Sequence, residues 1–210
     1  MAVRLFILLC FTLTGCSDPG LELSEQLGSS DVEQRRAAAR TLGEMGEQAV
    51  SAIPALSQAA TTDTDADVRR LSAHALGQIP TDTDDSLSAL KTALTDRDVK
   101  VRATAAYAIF NLVPTDASIV PVLIESVQAG DVKAIVVLGR LGPTAKDAVP
   151  VLAKALLDRR HNLVRLKAAQ SLQAIGPAAA SAVPALRQLS NDRDVDVRAA
   201  ASQAIVAIEH

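Results

Sequence analysis

A segment of the form Asp-x-x-Val-Arg-x-x-Ala-Ala-x-Ala-Leu-Gly-x-Ile recurs along this chain, and the recurrence limits the fold more than any other feature of the sequence. Anchored on its late Leu or Ile, it falls at Leu42, Leu76, Ile109, Leu138, Leu172 and Ile205, in steps of 34, 33, 29, 34 and 33. A second segment, similar to Val-Pro-x-Leu, falls at Leu56, Leu90, Leu123, Leu152 and Leu186, in steps of 34, 33, 29 and 34. Two separate anchors share one short step, which chance similarity would not reproduce. A repeat of this length means a stack of small units rather than a single closed core.

Each unit reads as two helices. The first is short and has proline in its first turn at Pro54, Pro121, Pro150 and Pro184, where the missing N–H has no helical partner to lose. The second follows an Asp-rich turn, and its apolar residues recur at helical spacing, as in Val68, Ser72, Leu76 and Ile79. It ends at Gly46, Pro80, Pro114, Gly142-Pro143 or Gly176-Pro177, all helix stop signals. The first unit has only a short, irregular leading helix at Leu21 to Leu27. No stretch alternates as a strand does. Neither helix of such a pair can bury its apolar side alone, so the pairs must stack.

The residues that supply the apolar surface are Ala, Leu, Val and Ile; aromatics make up 2% of 210 residues, with one Tyr and no Trp. Ala in quantity lets helices approach closely. Few aromatic faces leave little to stack on bases or sugars. A formal charge of −3 argues against a nucleic-acid partner, since affinity for phosphates comes from clustered Lys and Arg.

The repeats resemble HEAT repeats, and more narrowly the short HEAT-like repeats named after phycobilin lyase subunits. Asp31 with Arg35, Asp65 with Arg69, Asp98 with Arg102 and Asp194 with Arg198 carry the likeness, each followed by the Ala-rich ending. The resemblance implies an all-α fold, a right-handed α-α superhelix of about six helix pairs over residues 21–210, with the second helices lining the concave side. Two units depart from the pattern. The fourth is shortened and has Asp131 in the Arg column, and the fifth has His161 in the Asp column.

The start of the chain reads as an address. Arg4 is followed by a nearly continuous apolar run from Leu5 to Leu13 and then Leu13-Thr14-Gly15-Cys16. Such a run is a secretory signal and too short to span a bilayer. The last four residues resemble the lipobox of bacterial lipoproteins. That likeness implies removal of residues 1–15, lipid on Cys16 and a tether at 16–20, so that the chain is held at the bacterial cell envelope facing periplasm or exterior. Ser17 after the cysteine leaves the outer membrane open as a destination. The other cysteine, Cys10, lies within the removed segment, so no disulfide is expected.

The columns contain little chemistry for catalysis. Asp four residues before Arg is expected to cap the second helix while Arg ties neighbouring turns together. The turns Asp63-Thr64-Asp65-Ala66-Asp67 and Asp82-Thr83-Asp84-Asp85 lack the Gly and distal Glu of a calcium loop. His74, His161 and His210 are scattered over three repeats, and there is no His-Glu step of the kind that a HEAT-like di-iron hydroxylase family uses. We therefore expect no metal, no cofactor and no catalytic residue. Variation concentrates instead five and nine residues after the Arg column. The first position holds Arg40, His74, Tyr107, Val136, Gln170 and Gln203; the second holds Glu44, Gln78, Asn111 and Arg140 before fading to Ala174 and Ala207. If the second helices line the groove, Arg40, His74, Tyr107, Asn111, Arg140, Gln170 and Gln203 are the candidate partner-binding residues. The last helix offers Val197, Ile205 and Ile208 for self-association through the C-terminal end. The expected function is a lipid-anchored adaptor for a protein partner. The alternative, implied by the family likeness, is a lyase-type or chaperone-like subunit that assists modification of a partner protein.

Overall fold

In a computed structural model, residues 18–81 and 83–210 are described. Cys16, the apolar run before it and the first residues of the tether lie outside them. Asp18 accepts from the Gly20 N–H and starts the first helix, α1 (Pro19–Gln26), two residues ahead of the expected start. Twelve α-helices follow one another among the described residues: α2 (Val32–Met45), α3 (Ile53–Thr62), α4 (Ala66–Leu76), α5 (Asp84–Ala93), α6 (Val99–Leu112), α7 (Val120–Gln128), α8 (Val132–Leu141), α9 (Val149–Ala155), α10 (Asn162–Ile175), α11 (Val183–Gln188) and α12 (Val195–Glu209) complete the set. They form six pairs stacked as an all-α right-handed superhelix. None of these helices is long and apolar enough to cross a membrane.

Local chemistry sets the element boundaries. Asp31, Asp65, Asp98 and Asp194 each accept from N–H groups in the first turn of the second helix that follows. Pro54, Pro121, Pro150 and Pro184 occupy the first turn of α3, α7, α9 and α11. Gly46, Gly142 and Gly176 turn the chain out of α2, α8 and α10 with φ of 55°, 58° and 71°, a region that side chains with a Cβ rarely adopt. Each of these glycines opens a 3-10 segment (Gly46–Ala52, Gly142–Ala148 and Gly176–Ala182) that leads into the next helix.

The two irregular units have simple explanations. Asp131 is a helix cap, accepting from the Lys133 N–H, and α8 begins directly after it. The fourth unit is short because the first turn of α8 is missing, and its capping Asp has moved into the Arg column. In the fifth unit the His161 side chain makes no capping bond. Asp158 instead accepts from the N–H groups of Arg160 and His161.

A continuous buried core runs through the stack, with Leu42, Leu76, Ile109, Leu138 and Leu172 fully covered. Small residues bring successive second helices together. A Cβ added at Gly77 would lie 2.6 Å from Ala108 Cα, and one at Gly139 would lie 2.6 Å from Ser171 Oγ. Ser171 Oγ donates to Ile135 O across that contact at 2.8 Å. The approach is lost between α6 and α8, where Phe110 occupies the column that holds Gly43, Gly77 and Gly139. The stack is thus two blocks of three pairs, joined where α6 meets α7 and the 3-10 turn Ala117–Ile119 rather than by close α6–α8 packing.

The C-terminal end differs from expectation. Val197 and Ile208 are buried, at 0% and 5% exposure, and Ile205 is partly covered. The preceding helices and 3-10 segments take up this face, so two of the three residues expected to mediate self-association are unavailable for it. Val195 and Val206 are exposed instead.

Close packing gives a direct test. Gly77→Ala should lower the unfolding free energy by about 1–3 kcal/mol through overpacking against Ala108. Gly28→Ala, whose new Cβ would meet Glu25 O at an ordinary 3.4 Å, should be nearly silent in the same denaturant titration.

Candidate partner-binding face

The strongest electrostatic feature is a ladder of arginine forks, and it is structural. Arg35 grips Asp63 with two bonds, Nε to Oδ2 at 2.7 Å and Nη2 to Oδ1 at 3.0 Å. Arg69 holds Asp96 at 2.7 and 2.9 Å, and Arg165 holds Asp192 at 2.7 and 2.8 Å. Arg102 reaches Glu125 in the same manner. The carboxylate always belongs to the next repeat. The Nη1 group of each arginine meanwhile donates to carbonyls of the turn before its own helix, as Arg69 does to Asp63 O and Thr64 O. The expected tie between neighbouring turns is therefore a tie between neighbouring repeats. Where Asp131 replaces the arginine, the ladder has a gap.

The Asp-rich turns are used in the same way. Arg36 binds Asp65 with bonds of 3.0 and 2.7 Å, and Asp67 pairs with Arg70 at 3.0 Å. The Arg36 fork holds the Asp65 carboxyl below the usual carboxylate range, and Arg69 and Arg165 do the same for Asp96 and Asp192. A cleft of about 430 Å³ between α1 and α3 includes Arg35 and Asp63, whose charges are already paired to each other. No group of three or more His, Cys, Asp or Glu suited to a metal occurs among the described residues.

The candidate groove residues lie on the row of second helices. Arg40, His74, Asn111, Arg140, Gln170 and Gln203 are exposed, while the Leu and Ile columns beside them are buried. From α8 onward the second helices touch directly, while α9 and α11 meet through intervening 3-10 segments. Closer spacing on one side bends a stack towards that side, which puts this row on the inside of the curve in that half.

Tyr107 is in a different situation from the others. It is half-buried in the α6–α8 junction, and its hydroxyl donates to Asp131. Burial, and then this bond to a carboxylate, push its pKa up, so it stays protonated. Lys133 Nζ sits 4.1 Å from its ring centre, and the Arg140 guanidinium lies 4.7 Å from the centre of Phe110. Tyr107 and Phe110 are the two aromatic residues of 18–210, and each carries a cation on its face. Asn111 Nδ2 reaches back to Gly77 O at 3.5 Å.

Three contributors went unrecognised in the sequence. Phe110, Lys133 and Lys167 join Arg140 on this face. Phe110 was visible as the aromatic residue in a column that holds glycine at Gly43, Gly77 and Gly139. The lysines were visible only as part of a wider bias: α6, α8 and α10 contain no acidic residue. Arg140, Lys167, Gln170, Ser171, Ala174, Gly139 and Val136 line an open cleft of about 330 Å³ between α8 and α10.

Comparison with known proteins agrees with this architecture. The family described as HEAT repeats matches residues 21–110 and 116–206, two spans divided at the end of α6. No curated protein is significantly similar in sequence. Among solved structures, an engineered protein is similar at TM-score 0.68 and 24% identity, covering 92% of this chain and 97% of its own. A designed armadillo repeat protein in complex with the peptide (KR)4 gives TM-score 0.68 at 18% identity over 89% of this chain and 98% of its own. The complex of CpcE and CpcF of phycocyanin lyase from Nostoc gives TM-score 0.58 at 23% identity, with 95% and 80% covered. At these identities the likeness is one of fold.

Two predictions follow from the ladder. Arg69 and Asp96 are 4% and 10% exposed, so Arg69→Ala strands a covered carboxylate and should cost about 2–3 kcal/mol. Arg198 donates only to the carbonyls of Asp192 and Arg193 among the described residues, and Arg198→Ala should cost less in a parallel melt. Because Asp65, Asp96 and Asp192 titrate below their unfolded values, their clamps stabilise the fold above about pH 4 and lose that contribution as pH falls through the folded values. The melting temperature should drop on acidification through that window, and less steeply in Arg69→Ala.

Proposed function

This chain belongs to the HEAT-repeat family, and we propose that it is an adaptor that holds a protein partner on the inner face of its second helices, anchored at the bacterial cell envelope through lipid on Cys16. One observation carries the binding part of the reading. Over a repeating Leu, Ile and Ala core, the side chains at the same two positions of successive second helices are exposed and change from repeat to repeat in size and charge: Arg40, His74, Gln170 and Gln203 in one row, Asn111 and Arg140 in the other. A core under packing constraint repeats itself. A surface that varies along such a regular scaffold offers one partner a distinct contact at each step. The designed repeat protein that holds the peptide (KR)4 supports the use of this architecture for an extended segment.

The anchoring part rests on Leu5 to Leu13 followed by Leu13-Thr14-Gly15-Cys16. Several acyl chains make a stable anchor where one is marginal. The ladder and core supply a stiff support, because each ladder carboxylate is committed to an arginine. The similarity to the phycocyanin lyase subunits favours a second reading, a non-catalytic half of a two-chain modifying complex. Such a subunit would act on a substrate in the cytoplasm, and the export signal speaks against that.

Fractionation of the full chain in a bacterial host tests the anchor. Wild type should be found in the membrane with acyl mass at Cys16, and Cys16→Ser should be released from it. Cytosolic, uncleaved wild type would overturn the anchored adaptor and favour the second reading. Crosslinking in the same membranes tests the face: Arg140→Ala combined with Gln170→Ala should reduce partner recovery with no change in melting temperature, and unchanged recovery would count against this face.

A further inference from the structure

Resting on that reading, we infer that the partner contributes an acidic segment, with an aliphatic side chain among its carboxylates, and that it docks where α6, α8 and α10 face inward. Charge is the first ground. The three helices contain Lys100, Arg102, Lys133, Arg140, Arg165 and Lys167 and no Asp or Glu. Arg102 and Arg165 are used by the ladder. Among the described residues, Lys100, Lys133, Arg140 and Lys167 make no ion pair. Two of them rest on aromatic rings instead, Lys133 on Tyr107 and Arg140 on Phe110, and Lys167 Nζ donates to Gln170 Oε1 at 3.1 Å. A ring face positions a cation without neutralising its charge, so these groups remain ready for a partner's carboxylates.

The second helices of the first block are arranged differently. Arg36 and Arg70 are neutralised by Asp65 and Asp67, and Arg40 shares α2 with Glu33 and Glu44. Arg40 makes no ion pair either among the described residues, but unpaired cations adjoin one cleft, Arg140 with Lys167, on α8 and α10. Shape is the second ground. Lys133, Val136 and Arg140 follow one another along one stripe of α8. The cleft between α8 and α10 has Gly139, Ala174 and the 37%-exposed Val136 along its wall, with Arg140 and Lys167 among its lining residues. An aliphatic side chain fits between the small residues while flanking carboxylates meet the cations. A protein segment suits this arrangement better than a nucleic acid, because the chain as a whole is acidic and the cations are few.

Selection of a random dodecapeptide phage library on the immobilised full chain tests this. Enriched peptides should be acidic and carry an aliphatic residue. As synthetic peptides they should bind Arg140→Glu/Lys167→Glu about tenfold more weakly or worse, and raised salt should weaken them further. Arg140→Gln, which removes charge without reversing it, should give an intermediate loss, and thermal melts of both variants should fall by no more than the few degrees that loss of one cation–π contact costs. Neutral or basic peptides that bind the double variant normally but lose affinity in Arg40→Ala/His74→Ala would overturn the acidic partner and leave the inner-face reading standing. No enrichment, or peptides indifferent to every one of these variants, would overturn both. Preference of the Arg140/Lys167 region for anionic lipid vesicles over the selected peptides would also overturn it.

Discussion

How near two second helices can come sets the geometry of the whole stack. A helix pair of this size has too little interior to stand alone, so its stability lies in the interface with the next pair. That interface is made of Gly against Ala or Ser at Gly43 with Ala75, Gly77 with Ala108 and Gly139 with Ser171. Backbones in such contact leave no room for water or for a side chain to choose among rotamers. The arginine forks then lock the register. Each joins a guanidinium on one repeat to a carboxylate on the next and to carbonyls of its own turn, so that sliding or rotating one repeat breaks several charge-assisted bonds together.

Against that uniform background, the α6–α8 junction is the place where the rule is broken. Phe110 stands where Gly43, Gly77 and Gly139 stand in three other units, and Tyr107, Lys133 and Arg140 gather beside it. The ladder changes at the same point: Arg102 must use the longer Glu125 on α7, and Asp131 leaves the following rung without an arginine. The loss of one helical turn from α8 explains both the short step in the repeat and the displaced Asp. A single deletion thus removes a rung and exchanges close backbone packing for a polar, aromatic joint.

Much of the fold could be read directly from the sequence, because its determinants are local and recur. Caps, proline at helix starts, glycine at helix ends and the Leu/Ile column each appear several times in register, and repetition separates them from chance. The candidate face was legible in part for the same reason: Arg40, His74, Gln170 and Gln203 stand out as change within a constant frame, and they are exposed. What repetition cannot show is which residue each side chain meets across an interface. The partner of Arg69 lies 27 residues away in Asp96 rather than four residues away in Asp65, and only three-dimensional stacking brings them together. The burial of Val197 and Ile208 depends likewise on how the preceding pair covers the last helix. Tyr107 stood out for its rarity, but its commitment to Asp131 depends on the missing turn that moves Asp131 beside it.

The division of charge between the two blocks follows from these constraints. Where second helices pack closely and every turn carries an aspartate, cations are drawn into ion pairs, as Arg36 and Arg70 are. Where the turn is shortened or its aspartate is replaced, as before α8 and α10, fewer carboxylates are available and the cations settle on rings or amides. An aromatic ring holds a guanidinium or ammonium in place at little cost in side-chain freedom and without cancelling its field. Departures that look like wear in a regular repeat therefore produce a stretch of inner surface whose cations are held on rings and amides and left unneutralised. In a scaffold whose ladder charges are consumed in holding it together, that stretch is where a partner's own charges have most to gain.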